Sequence, residues 1–164
     1  MTPDSPVRSP RDLLERNVTT GKVMQLSTIG PDGAPVVCNL WYASAFAPDR
    51  LLFISRHTRE HSVNIRADGR VAGAILAIEI DELGQAVQGV TFNGRARELP
   101  VTDIDAQIEA YLSRWPKASG ALDRERLARG EAHHRVYEIA VTDWVLFDEA
   151  NFASDPRRDV PARP

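Results

Sequence analysis

The residues best suited to chemistry lie in one stretch, residues 50–70, which reads RLLFISRHTREHSVNIRADGR. Five arginines against two acidic residues give this stretch a charge of +3, although the whole chain carries a net charge of −3. Guanidinium groups form strong paired hydrogen bonds with phosphate oxygens. The composition therefore indicates an oxyanion site, with simple solvation of surface charges as the alternative. The five arginines are Arg50, Arg56, Arg59, Arg66 and Arg70.

The order of residues within this stretch places several anion-binding groups at one junction. Residues 50–55 predict a strand, and residues 58–66 predict a short helix with Thr58 as its N-cap. Backbone amides at a helix start, a hydroxyl group and guanidinium groups would then converge on one anion. The sequence therefore predicts a phosphate site at this junction, built from Arg56, Thr58 and the first helical turn from Arg59 to His61.

Signatures of other chemistry are missing from the sequence. Cys38 is the only cysteine, and the pair His133 and His134 has neither cysteine partners nor an HExxH frame, so no metal site is predicted. No GxSxG, GxGxxG or GxxxxGK[ST] motif occurs, which argues against a serine-hydrolase elbow, a Rossmann domain and a P-loop. No side chain is identified as a catalytic acid or base.

The elements that must position the junction are mostly strands. Side-chain alternation and turn residues predict a meander of six antiparallel strands, and helical spacing predicts a few helices outside it. The fold class is therefore α+β, mainly β, a small barrel with flanking helices. Ser9 with Asp12 and Thr102 with Asp105 are expected to cap two of the helices. The strands are expected at 23–28, 35–43, 50–55, 71–80 and 87–99, with the last one made from residues 135–141 and 144–147.

One strand carries an expectation about assembly. Residues 71–78, VAGAILAI, are apolar at both odd and even positions, so both faces of the strand need to be covered. One face can fill the barrel, and the other can meet a second subunit. The sequence thus predicts a homodimer.

The chain length of 164 residues fits one domain. We expect a disordered arm at 1–8, the domain at 9–152 and a C-terminal tail at 153–164. The lone cysteine and the absence of a secretory signal predict a cytoplasmic protein. The longest apolar run is too short to span a membrane, and the net acidity argues against a nucleic-acid partner.

Three segments, in register, resemble the FMN-binding split-barrel family typified by the pyridoxamine phosphate oxidases. They are VMQLSTIGPDGAPVVCNLWYA (23–43), LLFISRHTREHSVNI (51–65) and GVTFNGRAREL (89–99), and the resemblance spans about residues 13–147. It implies a six-stranded split barrel, a homodimer with FMN between its subunits, and an oxidoreductase that acts on a small molecule. The vitamin itself is disfavoured as substrate, because the family's basic RxxLLK-like run and C-terminal RLHxR-like signature are absent.

The resemblance also implies roles for single residues. Ser55 and Arg56 would lie near the flavin, whereas Thr58, Arg59 and His61 would lie at its phosphate. Many relatives have a lysine where this chain has His61, so the charge of that side chain matters. On the preceding strand, Asn39 and Trp41 either pack against neighbouring strands or line the isoalloxazine pocket.

Two other readings remain open. The deazaflavin F420 carries a longer acidic tail, which Arg95 and Arg97 could bind. A non-catalytic flavin carrier or sensor, or a haem-binding split barrel, belongs to a different functional class. For haem, the candidate axial ligands are His57, His61 and His133.

Overall fold

Local sequence signals explain where most elements begin and end in the computed structural model, which describes residues 8–164. The expected disordered arm at 1–8 therefore lies, except for its last residue, outside the described residues. The helices are α1 (Pro10–Thr20), α2 (Glu60–Ala67), α3 (Asp105–Arg114), a 3₁₀ helix (Pro116–Ala121) and α4 (Arg124–Ala128). The strands are β1 (Val23–Ile29), β2 (Pro35–Trp41), β3 (Ala43–Ala45), β4 (Arg50–Arg56), β5 (Arg70–Ile75), β6 (Gln88–Glu98), β7 (His134–Asp148) and β8 (Arg157–Pro161).

The strands form one curled, antiparallel sheet in the order β2-β1-β5-β6-β7-β4-β3, and β8 also pairs with β7. This half-barrel with few helices confirms the predicted fold class. The predicted number of six strands is wrong, because residues 8–164 form eight. Tyr42 separates β2 from the short strand β3, and the eighth strand lies in the segment assigned to the tail.

The expected tail at 153–164 is thus partly a strand. β7 has 15 residues, and β4 pairs only with its first half, from His134 to Ala140. The second half of β7 needs another partner for its backbone groups, and β8 supplies it between Asp143 and Phe147. Val160 of β8 is buried in the main core.

The predicted helix caps have mixed outcomes. Ser9 and Asp12 form the expected capping box at the start of α1. Thr58 is not the N-cap of α2, because the amide of Arg59 bonds to the carbonyl of Arg56 (3.0 Å) in a turn that delays the helix to Glu60. The cap predicted at Thr102 is also wrong, since α3 begins after Ile104 without a side-chain cap.

Alternation divides the sheet into an inner and an outer face, as the strand patterns predict. The inner face holds the main core, which includes Leu26, Phe53, Tyr137 and Trp144. A second core lies between the outer side of β4 and helices α3 and α4, which cover Leu52 and Val136 there. None of the helices within residues 8–164 has the length and apolar character that crossing a bilayer requires.

Candidate functional site

The predicted site begins at the junction between the end of β4 and the start of α2. Ser55 projects to the inner face of the sheet, as Phe53 does, and it is buried. Its hydroxyl oxygen lies 2.7 Å from Nε2 of His61 in the first turn of α2. Two of the predicted site residues are therefore in direct contact, at the inner side of the junction.

The surroundings of His61 decide its charge. Burial lowers the pKa of His61 below its usual value, and the positive charge of Arg59 lowers it further against the opposing effect of Glu60. The imidazole is consequently neutral at pH 7. In this chain His61 supplies a hydrogen bond to Ser55, rather than the positive charge that a lysine would bring.

We expect the His61 ring to titrate below about pH 6.5, the usual value for histidine. Because protonation opposes folding when the folded pKa is depressed, stability should fall as the pH drops from about 6.5 through that pKa. NMR titration of the ring protons, assigned with a His61→Gln variant, measures the value. A pKa at or above that of the same ring in urea-unfolded protein would contradict this assignment.

Three other predicted residues face solvent at the junction. Arg56, Thr58 and Arg59 are exposed. Among the described residues, none of these side chains has a salt bridge or a hydrogen-bond partner. Their polar groups are therefore available to a ligand.

The other arginines of the stretch are already engaged. Arg66 bonds to Glu98 at 2.6 Å, and Arg70 bonds to Asp68 at 2.6 Å. Arg50 lies at the opposite end of β4. Of the five arginines that give the stretch its charge of +3, Arg56 and Arg59 are thus the two that lie at the junction without an acidic partner among the described residues. Glu60 lies close by.

The start of α2 adds backbone donors to these cations. The N-cap position is Arg59, and no side chain caps the helix. The first amides of a helix lack intrahelical acceptors and carry its positive end, so an uncapped start favours an anion. Two free guanidinium groups, a free hydroxyl and uncapped amides together fit a phosphate group.

The remaining predicted residues lie on the other side of the sheet. Asn39 and Trp41 project from β2 to the outer face and are exposed. Ile54 projects to the outer face of β4, and Arg56 lies two residues further on the same side. The structure therefore brings Ser55 and His61 together inside, and aligns Arg56 with the side on which Asn39 and Trp41 lie.

An aromatic pocket of about 510 Å³ occupies this outer side. Trp41 forms one wall, and its ring meets the ring of Trp115 edge-to-face, with the ring centres 4.8 Å apart. The Trp115 indole donates a 2.8 Å hydrogen bond to the carbonyl of Tyr42, which fixes its orientation. The pocket is lined by Asn39, Leu40, Trp41, Ile54, Tyr111, Trp115, Lys117 and Ala118.

Sequence reasoning missed part of this pocket. The helical spacing of Tyr111 and Trp115 predicts that both side chains pack a helix against the core, which they do, and no pattern in the sequence marks Lys117 or Ile54. The apolar stripe of α3 was the available signal, but nothing in it shows that Trp115 meets Trp41 from 74 positions away. Only the folded sheet makes these residues neighbours.

The outer face continues as an uncovered surface across β1, β2, β5, β6 and β7. Val37 is 66% exposed, Leu76 is 52% exposed and Phe147 is 38% exposed on this surface. Two shallow pockets of about 360 and 440 Å³ lie on it. Such a patch of exposed apolar side chains is typical of an interaction surface.

The residues considered for binding F420 or haem are more widely spread over the structure than those at the β4–α2 junction. Arg97 is paired with Glu138 at 2.8 Å, whereas Arg95 is exposed without an acidic partner among the described residues. The amide of His57 bonds to the carbonyl of His133 at 3.1 Å, so these two residues are neighbours through the backbone. Within residues 8–164, no group of three or more His, Cys, Asp or Glu side chains has an arrangement that could hold a metal ion.

Comparison with known proteins places this geometry in context. The profile of the family described as pyridoxamine 5'-phosphate oxidase matches residues 5–147. A search of curated proteins found no match.

Three solved structures are similar in fold. A heme binding protein from Mycobacterium smegmatis has a TM-score of 0.73 at 18% identity, over 94% of this chain and 60% of that protein. An FAD-binding protein from Mesorhizobium loti has a TM-score of 0.62 at 22% identity, over 84% of this chain and 92% of that one. An F420 reductase has a TM-score of 0.52 at 19% identity, over 79% of this chain and 94% of that one.

Proposed function

Because the chain belongs to the pyridoxamine 5'-phosphate oxidase family, we propose that it binds FMN and acts as an oxidoreductase on a small molecule. The observation that carries this proposal is the β4–α2 junction. There, Arg56 and Arg59 have no acidic partner among the described residues and stand beside the uncapped start of α2. Thr58 adds a free hydroxyl group. This set of donors matches a phosphate monoester.

The rest of the cofactor would follow the outer side of the sheet. A flavin ring is planar and largely apolar, and it would lie on the exposed outer surface of Trp41, at the mouth of the aromatic pocket and on the side to which Arg56 projects. The exposed amide of Asn39 can hydrogen-bond a polar ring edge. Ser55 and His61 would lie on the inner side of the junction, and their mutual hydrogen bond would keep the junction rigid.

FMN, when bound, supplies the electron or hydride transfer. The chain's own residues would then hold the phosphate, orient the ring and exclude water. None of the side chains at the junction is arranged as an acid–base pair for the substrate, since neutral His61 is engaged with Ser55. The rate would depend on how the substrate is held beside the ring.

The active form would be a homodimer, with the cofactor between the subunits. The uncovered outer face supports this, because its exposed apolar side chains can pack against the same face of a second copy. The outer face is continuous with the side on which Asn39 and Trp41 lie. A second subunit seated there would shield a flavin ring from solvent.

The test is a cofactor titration of the purified full-length chain, preceded by an absorption spectrum. We expect FMN to bind at least about tenfold more tightly than riboflavin, because only FMN carries the phosphate that the junction fits. Flavin fluorescence measures both affinities. Equal affinity for the two flavins, tighter binding of F420, or a haem Soret band in the purified protein would overturn the proposal.

A further inference from the structure

The aromatic pocket beside the junction carries information about the substrate. Its walls are almost wholly apolar, and none of its described lining residues is acidic. Lys117 is exposed and has no ion-pair partner among the described residues. The pocket therefore combines aromatic surface with a single free positive charge.

Lys117 is the only charged residue in the described lining of the pocket. Tyr111 is the one other ionisable residue in the lining, and burial raises the pKa of its hydroxyl group to about 12. That hydroxyl donates to the carbonyl of Trp41 at 3.4 Å, so it helps to hold the wall. Lys117 alone sets the charge, and the preferred ligand is an anion.

The walls also select the shape of the ligand. The rings of Trp41 and Trp115 are in edge-to-face contact at 75° to each other, so they form a corner in which a flat ligand can stack on one indole beside the other. Trp115 is held by its bond to the carbonyl of Tyr42 and by the guanidinium of Arg114 above its ring (5.1 Å). A rigid aromatic wall favours a planar apolar body over a flexible chain.

The pocket adjoins the proposed phosphate site. Ile54 lines it, and Arg56 is two residues further along the same face of β4, which corresponds to about 7 Å. The occupant would thus lie next to a cofactor held at the junction. It would have a separate positive charge at the far side, on the 3₁₀ helix that contains Lys117.

From these features we propose that the substrate is a planar, hydrophobic molecule with one acidic group, stacked on the surface that Trp41 and Trp115 form together, with the acid at Lys117. This inference rests on the proposed function only in so far as it identifies the ligand of the pocket as a substrate. The binding preference itself is a property of the pocket and can be measured without FMN.

The test uses two naphthalene probes with similar ring systems on the full chain. One, 8-anilinonaphthalene-1-sulfonate, is an anion, and the other, N-phenyl-1-naphthylamine, is neutral. We expect the anionic probe to bind at one site per chain. Lys117→Met should weaken it by about tenfold and change the affinity of the neutral probe by less than about twofold. Lys117→Arg should restore binding, and Trp41→Ala should weaken both probes.

A matched control is Arg157→Met, which removes an exposed positive charge on β8, outside the pocket. It should leave both affinities unchanged. Equal weakening of the anionic probe by Lys117→Met and Arg157→Met would overturn the inference. So would displacement of the probe by stoichiometric FMN, because the flavin would then occupy the pocket itself. If FMN fails to bind while the probe results hold, the proposed function falls and the binding preference stands.

Discussion

Replacing Asp49 by Asn is expected to lower the free energy of unfolding by about 3–5 kcal/mol, the cost of breaking a buried ion pair from one side. The Asp49 side chain is fully buried and forms a salt bridge with Arg11 of α1 through both of its carboxylate oxygens. It also accepts hydrogen bonds from the Trp144 indole (2.7 Å) and the Arg163 amide (3.1 Å). The variant would leave Arg11 with the more exposed Glu15 as its remaining acidic partner, at the point where α1 and the C-terminal segment meet the start of β4.

The pH dependence of stability provides a second readout for Asp49. Burial raises the pKa of Asp49, but the hydrogen bonds from Arg11, Arg163 and Trp144 together hold it below its ordinary value. The ionised carboxylate thus stabilises the fold above the unfolded pKa of about 4, and this contribution is lost as the pH falls through the folded pKa. The wild-type chain should lose stability there more steeply than Asp49→Asn.

Urea unfolding, followed by the fluorescence of buried tryptophan, measures both effects. Glu15→Gln is the matched control, because Glu15 belongs to the same cluster through Arg11 (2.6 Å) and Arg163 (2.9 Å) but is more exposed than Asp49. It should cost less than about 1 kcal/mol. If Asp49→Asn costs no more than Glu15→Gln, the carboxylate does not support the fold in the way described.

The sequence predicted the parts of the fold that depend on local pattern. Alternation along residues 35–41 places Val37, Asn39 and Trp41 on one face of a strand, and in the structure this shared face is the exposed one. The capping box of α1 was also correct, because both of its partners lie within four residues. β8 was missed because its few residues gain stability only from the open half of β7, which no local pattern shows.

The sequence predicted the β4–α2 junction itself, but not which of its arginines are paired. The β4–α2 junction follows from a strand, a turn and a helix in sequence, and Ser55 and His61 do meet there. The charge of the stretch could not be predicted, because Arg66 is paired with Glu98, 32 residues away. The Asp49 cluster was missed for the same reason, since Arg163 reaches it from 114 residues away.

The pairing of these arginines has a consequence for ligand binding. Of the five arginines in the stretch, Arg56 and Arg59 have no acidic partner among the described residues at the junction, so each should matter more for ligand binding than the composition suggests. Replacing Arg59 by Ala is expected to weaken FMN binding by roughly 1–3 kcal/mol, as for the loss of a charge-assisted hydrogen bond. The double variant with Arg56→Ala should lose about 3–4 kcal/mol, which corresponds to several hundredfold in affinity.

The affinity for riboflavin distinguishes the loss of a phosphate contact from general damage to the flavin site. Riboflavin lacks the phosphate, so the double variant should bind it with wild-type affinity, and FMN should then lose its advantage over riboflavin. Arg126→Ala is the matched control, because it removes an exposed arginine on α4. Titration of flavin fluorescence gives all of these affinities. If the double variant loses affinity for both flavins equally, or for neither, the two arginines do not hold the phosphate, because a charge contact with it can affect only the flavin that carries it.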